Sequence, residues 1–272
     1  MENKFGKVSR LCLTASRKGE KTILSDLSFT APFKVMRPFY EKKDRMSVML
    51  LTASAGIMAG DRQEMELTLE RGANMEFLSQ AYDKIHRMET GYAERKTRIS
   101  IGKEAILYYT PLPVIPFAGS DYRSELQVSL EDETSRFVYT DVLTCGRIAY
   151  GEEFAYRKFL NTVTVTCGDT LIYRDRSCYE PEKTDMTGFG MYEGFTHLAT
   201  MLLCNIPVSD QWLTEVRARL EQMPEFQGGV TRTASGDVVL RILGRNADRL
   251  VAFLEELKKE LVLCWRFTGV KC

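Results

Sequence analysis

The stretch Glu64–Gln80, "EMELTLERGANMEFLSQ", decides the fold. Met65, Leu67 and Leu69 alternate with Glu64, Glu66, Thr68 and Glu70. That period of two puts the apolar side chains on one face of a strand and the polar ones on the other. Arg71-Gly-Ala-Asn74 then turns the chain, and Met75 and Phe77 resume the pattern. The same device returns in "TRISIGKEAILYY", turning at Gly102, in "ELQVSLEDETSRFVY", turning near Asp132, and in "NTVTVTCGDTLIYRD", turning at Gly168. These turns are about 31, 30 and 36 residues apart. Near-regular spacing of paired strands predicts stacked β units, each unable to bury its apolar face alone.

Upstream, "RLCLTAS" and "KTILSDLSF" read as a further strand pair, and "MSVMLL" at Met46–Leu51 as a strand. "TPLPVIPFAG" has three prolines in six residues, so it is expected as an extended connection or edge rather than a central strand. Past residue 185 the period changes. "DQWLTEVRARLEQM" places Trp212, Leu213, Val216, Leu220 and Met223 at helical spacing, with Ser209 or Asp210 as N-cap and Pro224 as the stop. "NADRLVAFLEELKKELVLCW" is a second helix, with Leu250, Leu254, Leu257 and Leu261 on one face and Asn246 as its cap. "MYEGFTHLATMLLC" is a candidate third, and "GGVTRTASGDVVLRIL" a hairpin turning at Ser235-Gly236. The expected fold is mainly β: stacked strand pairs in a β-helix-like or two-layer domain, with two or three C-terminal helices. No Gly/Ser/Pro-rich linker divides the chain, so residues 1–272 are expected as one domain, β-rich to about 185 and helix-containing from about 186.

Composition removes several function classes. Lysine plus arginine equals aspartate plus glutamate at 37 each, so no net field draws the molecule to nucleic acid or anionic lipid. The N-terminus lacks the apolar run of a signal peptide, and Leu198–Val208 is too short to span a bilayer, which predicts a cytoplasmic protein and reads that run as core. The seven cysteines (12, 145, 167, 178, 204, 264, 272) include no C-x-x-C pair and read mostly as buried small hydrophobes, with Cys272 the most exposed. Two distant histidines, His86 and His197, cannot build a three-histidine zinc site.

The loop "ASAGIMAGD" at Ala53–Asp61 resembles a phosphate cradle only superficially. Asp61 stands where a counter-charged lysine is needed, and a β pattern follows instead of a helix. No nucleophile motif is present. Glu64, Glu66 and Glu70 read as a solvated strand face, whereas Asp61 and Asp141 each adjoin an apolar strand and a glycine-bearing turn. Hard carboxylate oxygens placed so can hold a divalent cation transiently or simply brace a turn. The residues by themselves favour a scaffold or binding protein over an enzyme.

Four segments in register, "AGIMAGD" (55–61), "LSQAYDKIHRM" (78–88), "YYTPLPVIPF" (108–117) and "VLTCGRIAYGEEF" (142–154), resemble the urease accessory protein family UreD, also called UreH, and "APFKVMRPFY" (31–40) fits as well. The resemblance runs from about residue 8 to 210. Alanines at 55 and 59 replace two glycines of the family's usual loop. The resemblance implies a non-catalytic maturation factor with a β-rich stacked fold. It would act with UreF, and through UreF with the GTPase UreG, to deliver nickel into apo-urease, holding no tightly bound cofactor and carrying nickel(II) as transient cargo. A nickel passage proposed for the family points by position to Asp61, Ser79, Gln80 and Asp141, and more weakly to Glu64. The alternative is a pure adaptor that binds UreF and urease without touching nickel, through exposed apolar surface such as "PLPVIPF" and the final helices.

Overall fold

The computed structural model describes residues 8–42 and 44–268, with the backbone alone at 41–42 and 262–268. In chain order the strands are β1 (Val8–Lys18), β2 (Lys21–Phe29), β3 (Phe33–Val35), β4 (Phe39–Lys42), β5 (Arg45–Thr52), β6 (Arg62–Leu69), β7 (Asn74–Gln80), β8 (Asp83–Ile85) and β9 (Ala93–Ile101). They continue as β10 (Ile106–Thr110), β11 (Val114–Pro116), β12 (Asp121–Leu130), β13 (Arg136–Thr144), β14 (Lys158–Cys167), β15 (Thr170–Tyr179) and β16 (His197–Cys204). Helix α1 (Asp210–Gln222), the hairpin β17 (Phe226–Arg232) and β18 (Val238–Gly244), and helix α2 (Ala247–Thr268) complete the order.

The strands form two sheets. One runs β15-β14-β12-β9-β6-β1-β2, the other β17-β18-β16-β13-β10-β7-β5-β3 with β4 beside β5 and a short branch through β11 and β8. Within the first sheet β1, β6, β9, β12 and β14 are parallel neighbours; within the second, β5, β7, β10 and β13 are. Successive coils therefore go from second sheet to first and back, which is the stacked β architecture the turn spacing predicts. At Arg71–Asn74, Gly102 and Asp132 the chain crosses between the sheets instead of making a hairpin; only the turn at Gly168 joins antiparallel partners, β14 and β15. In-register stacking sets the repeat: Leu69, Ile101, Leu130 and Cys167 are neighbours across four strands. The expected pair β1 and β2 is antiparallel, as is the β17–β18 hairpin.

The inward faces make one apolar core from Leu13, Leu67, Ile99, Val128 and Val165 of the first sheet and Met46, Met75, Leu107 and Phe137 of the second. The outer face of the second sheet is covered by α1 and α2: Trp212, Leu213, Val216 and Leu220 of α1, which lies on β17, and Leu250, Leu254, Leu257 and Leu261 of α2, which lies on β13, β16 and β18, join one apolar cluster with the sheet. The caps are as read: Ser209 Oγ accepts the Trp212 N–H at 3.1 Å and Asn246 Oδ1 the Arg249 N–H at 3.0 Å. An ionic clamp fixes α2. Lys258 Nζ lies 2.7 Å from Glu76 on β7 and 2.5 Å from Glu255, with Arg45 at 3.7 Å from Glu76 and stacked on Tyr108.

Three expectations are corrected. "HLATMLLC" is strand β16, not a third helix. Cys204 and Leu202 face the inter-sheet core while Ala199, Met201 and Leu203 face the helices, so both faces are apolar and neither period shows. "PLPVIPF" holds β11, a three-residue strand bonded to β8 on one side and touching β13 on the other, with Val114 and Phe117 8% exposed. It offers no broad apolar surface; among the described residues the most exposed large apolar side chains are Phe189 at 98% and Tyr150 at 74%. The cysteines, expected to be mostly buried, are so only at Cys145 and Cys204 among the described residues; Cys12 and Cys167 are partly buried and Cys178 is exposed, and the Cys264 side chain and Cys272 lie outside the described residues.

Candidate functional site: a polar file through the β stack

Alternation fixes which residues point between the sheets, and stacking fixes which of them meet. Along the first sheet three inward rows are largely apolar. The row six residues before Leu69, Ile101, Leu130 and Cys167 is different: Gln63, Arg95, Ser124 and Asn161 are register partners there. Ser9 on β1 extends this row at one end and Ser177 on β15 at the other. Six polar side chains thus stand side by side, a file about 24 Å long at the ordinary strand spacing.

The second sheet faces this file with a matching set. Phe77, Tyr109 and Tyr139 are neighbours across three strands and stack, with ring centroids 5.4 and 6.1 Å apart. Two residues beyond Phe77 and Tyr139 on the same face come Ser79 and Asp141. Between the sheets lies a cavity of about 40 Å³ lined by Asp83, Arg95, Tyr109, Tyr122, Ser124, Tyr139, Asp141 and Asn161 among others. That volume exceeds the ~10–15 Å³ one water needs.

Arg95 is anchored at both ends of its guanidinium, Nε donating to Gln63 Oε1 at 2.8 Å and Nη1 to Asp83 Oδ2 at 2.5 Å. Both members of the ion pair are almost enclosed, at 12% and 11% side-chain exposure. Burial, the largest single effect, lowers the Arg95 pKa, but the Asp83 charge and hydrogen bond together with the nearby Tyr122 and Tyr109 hydroxyls outweigh it and the net shift is upward, so the guanidinium stays charged. Among the described residues Asp141 has no such partner. Burial pushes its carboxyl up to about 6, the Tyr139 hydroxyl and the Val142 N–H offset part of the rise by hydrogen bonding, and Asp83 and Asp175 add to it.

The residues expected from the resemblance separate into different places. Asp141 lines the cavity. Ser79 accepts the Leu112 N–H at 2.8 Å and also borders a larger groove of about 270 Å³ between the second sheet and α2, with Glu76, Thr110, Thr140 and Glu255. Gln80 is exposed at the end of β7. Asp61 sits in the loop before β6, where its Oδ2 accepts the Met58 N–H at 2.8 Å and its backbone N–H returns to Met58 O at 3.1 Å. This carboxylate braces the turn. The loop's tightness comes from Gly56, φ +149°, where a Cβ would fall 2.5 Å from Lys84 O and 2.7 Å from the His86 ring. Glu64 points to the outer face and pairs with Arg10 at 3.0 Å. Among the described residues no three His, Cys, Asp or Glu side chains converge as a closed metal cage. Gln63, Asp83, Arg95, Ser124 and Asn161 went unread in the sequence, although one signal was there: in four strands the alternation turns polar at the same offset from the turn.

Comparison with known proteins follows the same line. The family model described as UreD urease accessory protein matches residues 7–266. A urease accessory protein UreD of Acetivibrio thermocellus is 38% identical over 262 residues, 96% of this chain and 100% of that protein. A urease accessory protein UreH of Helicobacter pylori is 31% identical over 94% of this chain and 96% of its own length. The UreD of Flavobacterium johnsoniae is 26% identical over 97% of this chain. A match over nearly the whole chain, on a stacked β fold, shows that this chain belongs to the UreD family of urease accessory proteins.

Proposed function

We propose that this chain is a cytoplasmic urease maturation scaffold that acts with homologues of UreF and UreG to deliver nickel into apo-urease, and that the ion travels through the polar file. The observation that supports the route is the row Ser9–Gln63–Arg95–Ser124–Asn161–Ser177, buried at Ser9 and Gln63 and half-buried at the other four, with Asp83 and Asp141 lining the same cavity beside the apolar core. Such a row of side chains is costly to bury and has no packing advantage over leucine or valine. Its chemistry fits passage. Hydroxyl, amide and lone carboxylate oxygens bind Ni²⁺ more weakly than imidazole or thiolate, so an ion held by one or two of them exchanges onward. The scaffold itself needs no catalytic group, and the relatives bear accessory-protein names.

The adaptor reading keeps one observation in its favour: Asp83 is already neutralised by Arg95. The two readings separate in a reconstituted mixture of apo-urease, Ni²⁺, GTP, UreF, UreG and this chain. The change Asp141→Ala is expected to lower urease activation severalfold while the complex with UreF still forms on a sizing column, whereas Asp61→Ala, which only unbraces a turn, should leave activation near wild type. Normal activation by Asp141→Ala sinks the route and leaves the adaptor.

A further inference from the structure

Arg95 is the one cationic side chain in the polar file, third of six in the row, and it stands where a divalent cation on the proposed route meets a guanidinium. Such a charge is unfavourable for cation passage unless it does something else. Its contacts say what. Nη1 holds Asp83 Oδ2 at 2.5 Å, Nε holds Gln63 Oε1 at 2.8 Å, and the same cavity is lined by Asp141. Without Arg95 the cavity would present two carboxylates, Asp83 and Asp141, to an ion, with Asn161, Ser124 and Tyr139 completing an oxygen-rich lining. Hard divalent cations are retained by sets of that kind. With Arg95 in place one of the two carboxylates is already committed, and the ion finds a single acidic ligand.

We propose that Arg95 sets the retention of the path: by occupying Asp83 it keeps the interior from becoming a nickel trap, so that cargo passes Asp141 and moves on. This rests on the nickel-route reading above and assigns Arg95 a positioning role, acting through Asp83. The geometry favours this over a purely structural salt bridge because the pair lies at the cavity, and among the described residues no such pair lies in the inward apolar rows.

The test is calorimetric titration of the isolated full-length chain with Ni²⁺, alongside the reconstituted activation. Arg95→Gln is expected to bind Ni²⁺ about tenfold or more tightly than wild type, the effect of freeing one carboxylate at short range in a poorly solvated site. Activation at limiting nickel should fall as the ion is retained. Arg95→Lys, which keeps the charge, should behave as wild type. Adding Asp83→Asn to Arg95→Gln should abolish the gain in binding and restore activation. Asp83→Asn alone leaves the guanidinium unpaired in the file and should impair activation without any gain in Ni²⁺ affinity, a reversal by the double variant that tests the idea even where Arg95→Gln folds poorly. Wild-type Ni²⁺ affinity in Arg95→Gln, or no reversal between Asp83→Asn and the double variant, overturns the proposal. If Asp141→Asn leaves activation unchanged, the route itself fails and this proposal with it; impaired activation in Asp141→Asn with unaltered binding in Arg95→Gln removes the Arg95 role alone.

Discussion

Replacing Asp141 by asparagine is expected to make the protein more stable above pH 6 while lowering urease activation in the reconstituted mixture, if the proposed route holds. The carboxyl is raised from its ordinary value of 3.8 to about 6 in the folded state. A group with a raised folded pKa favours the native state when protonated, so its contribution is fully present below the unfolded pKa and is lost as pH rises through about 6. Above that pH the ionised carboxylate is a penalty. A rise of roughly two units corresponds to about 3 kcal/mol at 1.36 kcal/mol per unit, and partial solvent access to the residue reduces this to about 1–3 kcal/mol. Asparagine keeps the size and the acceptor for the Tyr139 hydroxyl and carries no charge to desolvate. With an unfolding entropy of about 0.6 kcal/mol/K for 272 residues, the variant should melt about 2–5 °C higher at pH 7.5. The assay is scanning calorimetry from pH 4.5 to 8. The gain should shrink steadily as pH falls through 6 toward 4.5. A variant no more stable than wild type at pH 7.5, or a gain that does not change with pH, refutes the reasoning. A stabilising change that lowers activation would mark Asp141 as retained for function against the interest of stability.

Other perturbations test the frame around the file. Glu76→Gln removes the enclosed partner of Lys258 but leaves Glu255, so urea denaturation should show a loss of about 3 kcal/mol, the low end for breaking a buried ion pair. In the loop before β6, Gly56→Ala forces a Cβ against Lys84 O and the His86 ring and should cost about 3 kcal/mol or more, whereas Gly60→Ala meets open space and should cost only about 1 kcal/mol for its positive φ. Equal costs at the two positions, read by thermal melting, would contradict the loop geometry. Asp61→Ala loses one capping bond to the Met58 N–H and should cost about 1 kcal/mol, with no change in Ni²⁺ binding by the isolated chain in titration calorimetry.

Much of the fold is legible in particular residues. Met65, Leu67 and Leu69 announce an inward face, and the regular return of that pattern announces stacking, because parallel coils share one register. Strand β16 defeats the same reasoning: Leu202 and Cys204 are buried against the other sheet and Met201 and Leu203 against the helices, so no polar side remains to give a period. The file was half legible. Gln63, Arg95, Ser124 and Asn161 break the alternation at a common offset, yet their meaning comes only from stacking them. The Arg95–Asp83 pair was not legible, since Asp83 belongs to the short strand β8 on the branch off the second sheet and its bond depends on how that branch closes over the interior. Asp61 was legible as a special residue; that its carboxylate caps Met58 is a matter of loop geometry no pattern carries.

If nickel crosses the interior of this chain, as proposed, closing that interior should stop it. Ser124 stands in the file beside Arg95 and Asn161 and lines the cavity. Ser124→Leu fills the space without altering any charge, at an overpacking cost of about 1–3 kcal/mol. The measurement is the nickel content of urease, by mass spectrometry after incubation with the UreF and UreG complex, with complex formation followed in the same samples. With the complex intact, urease should carry severalfold less nickel; full nickel loading by the plugged chain would rule out passage through the interior.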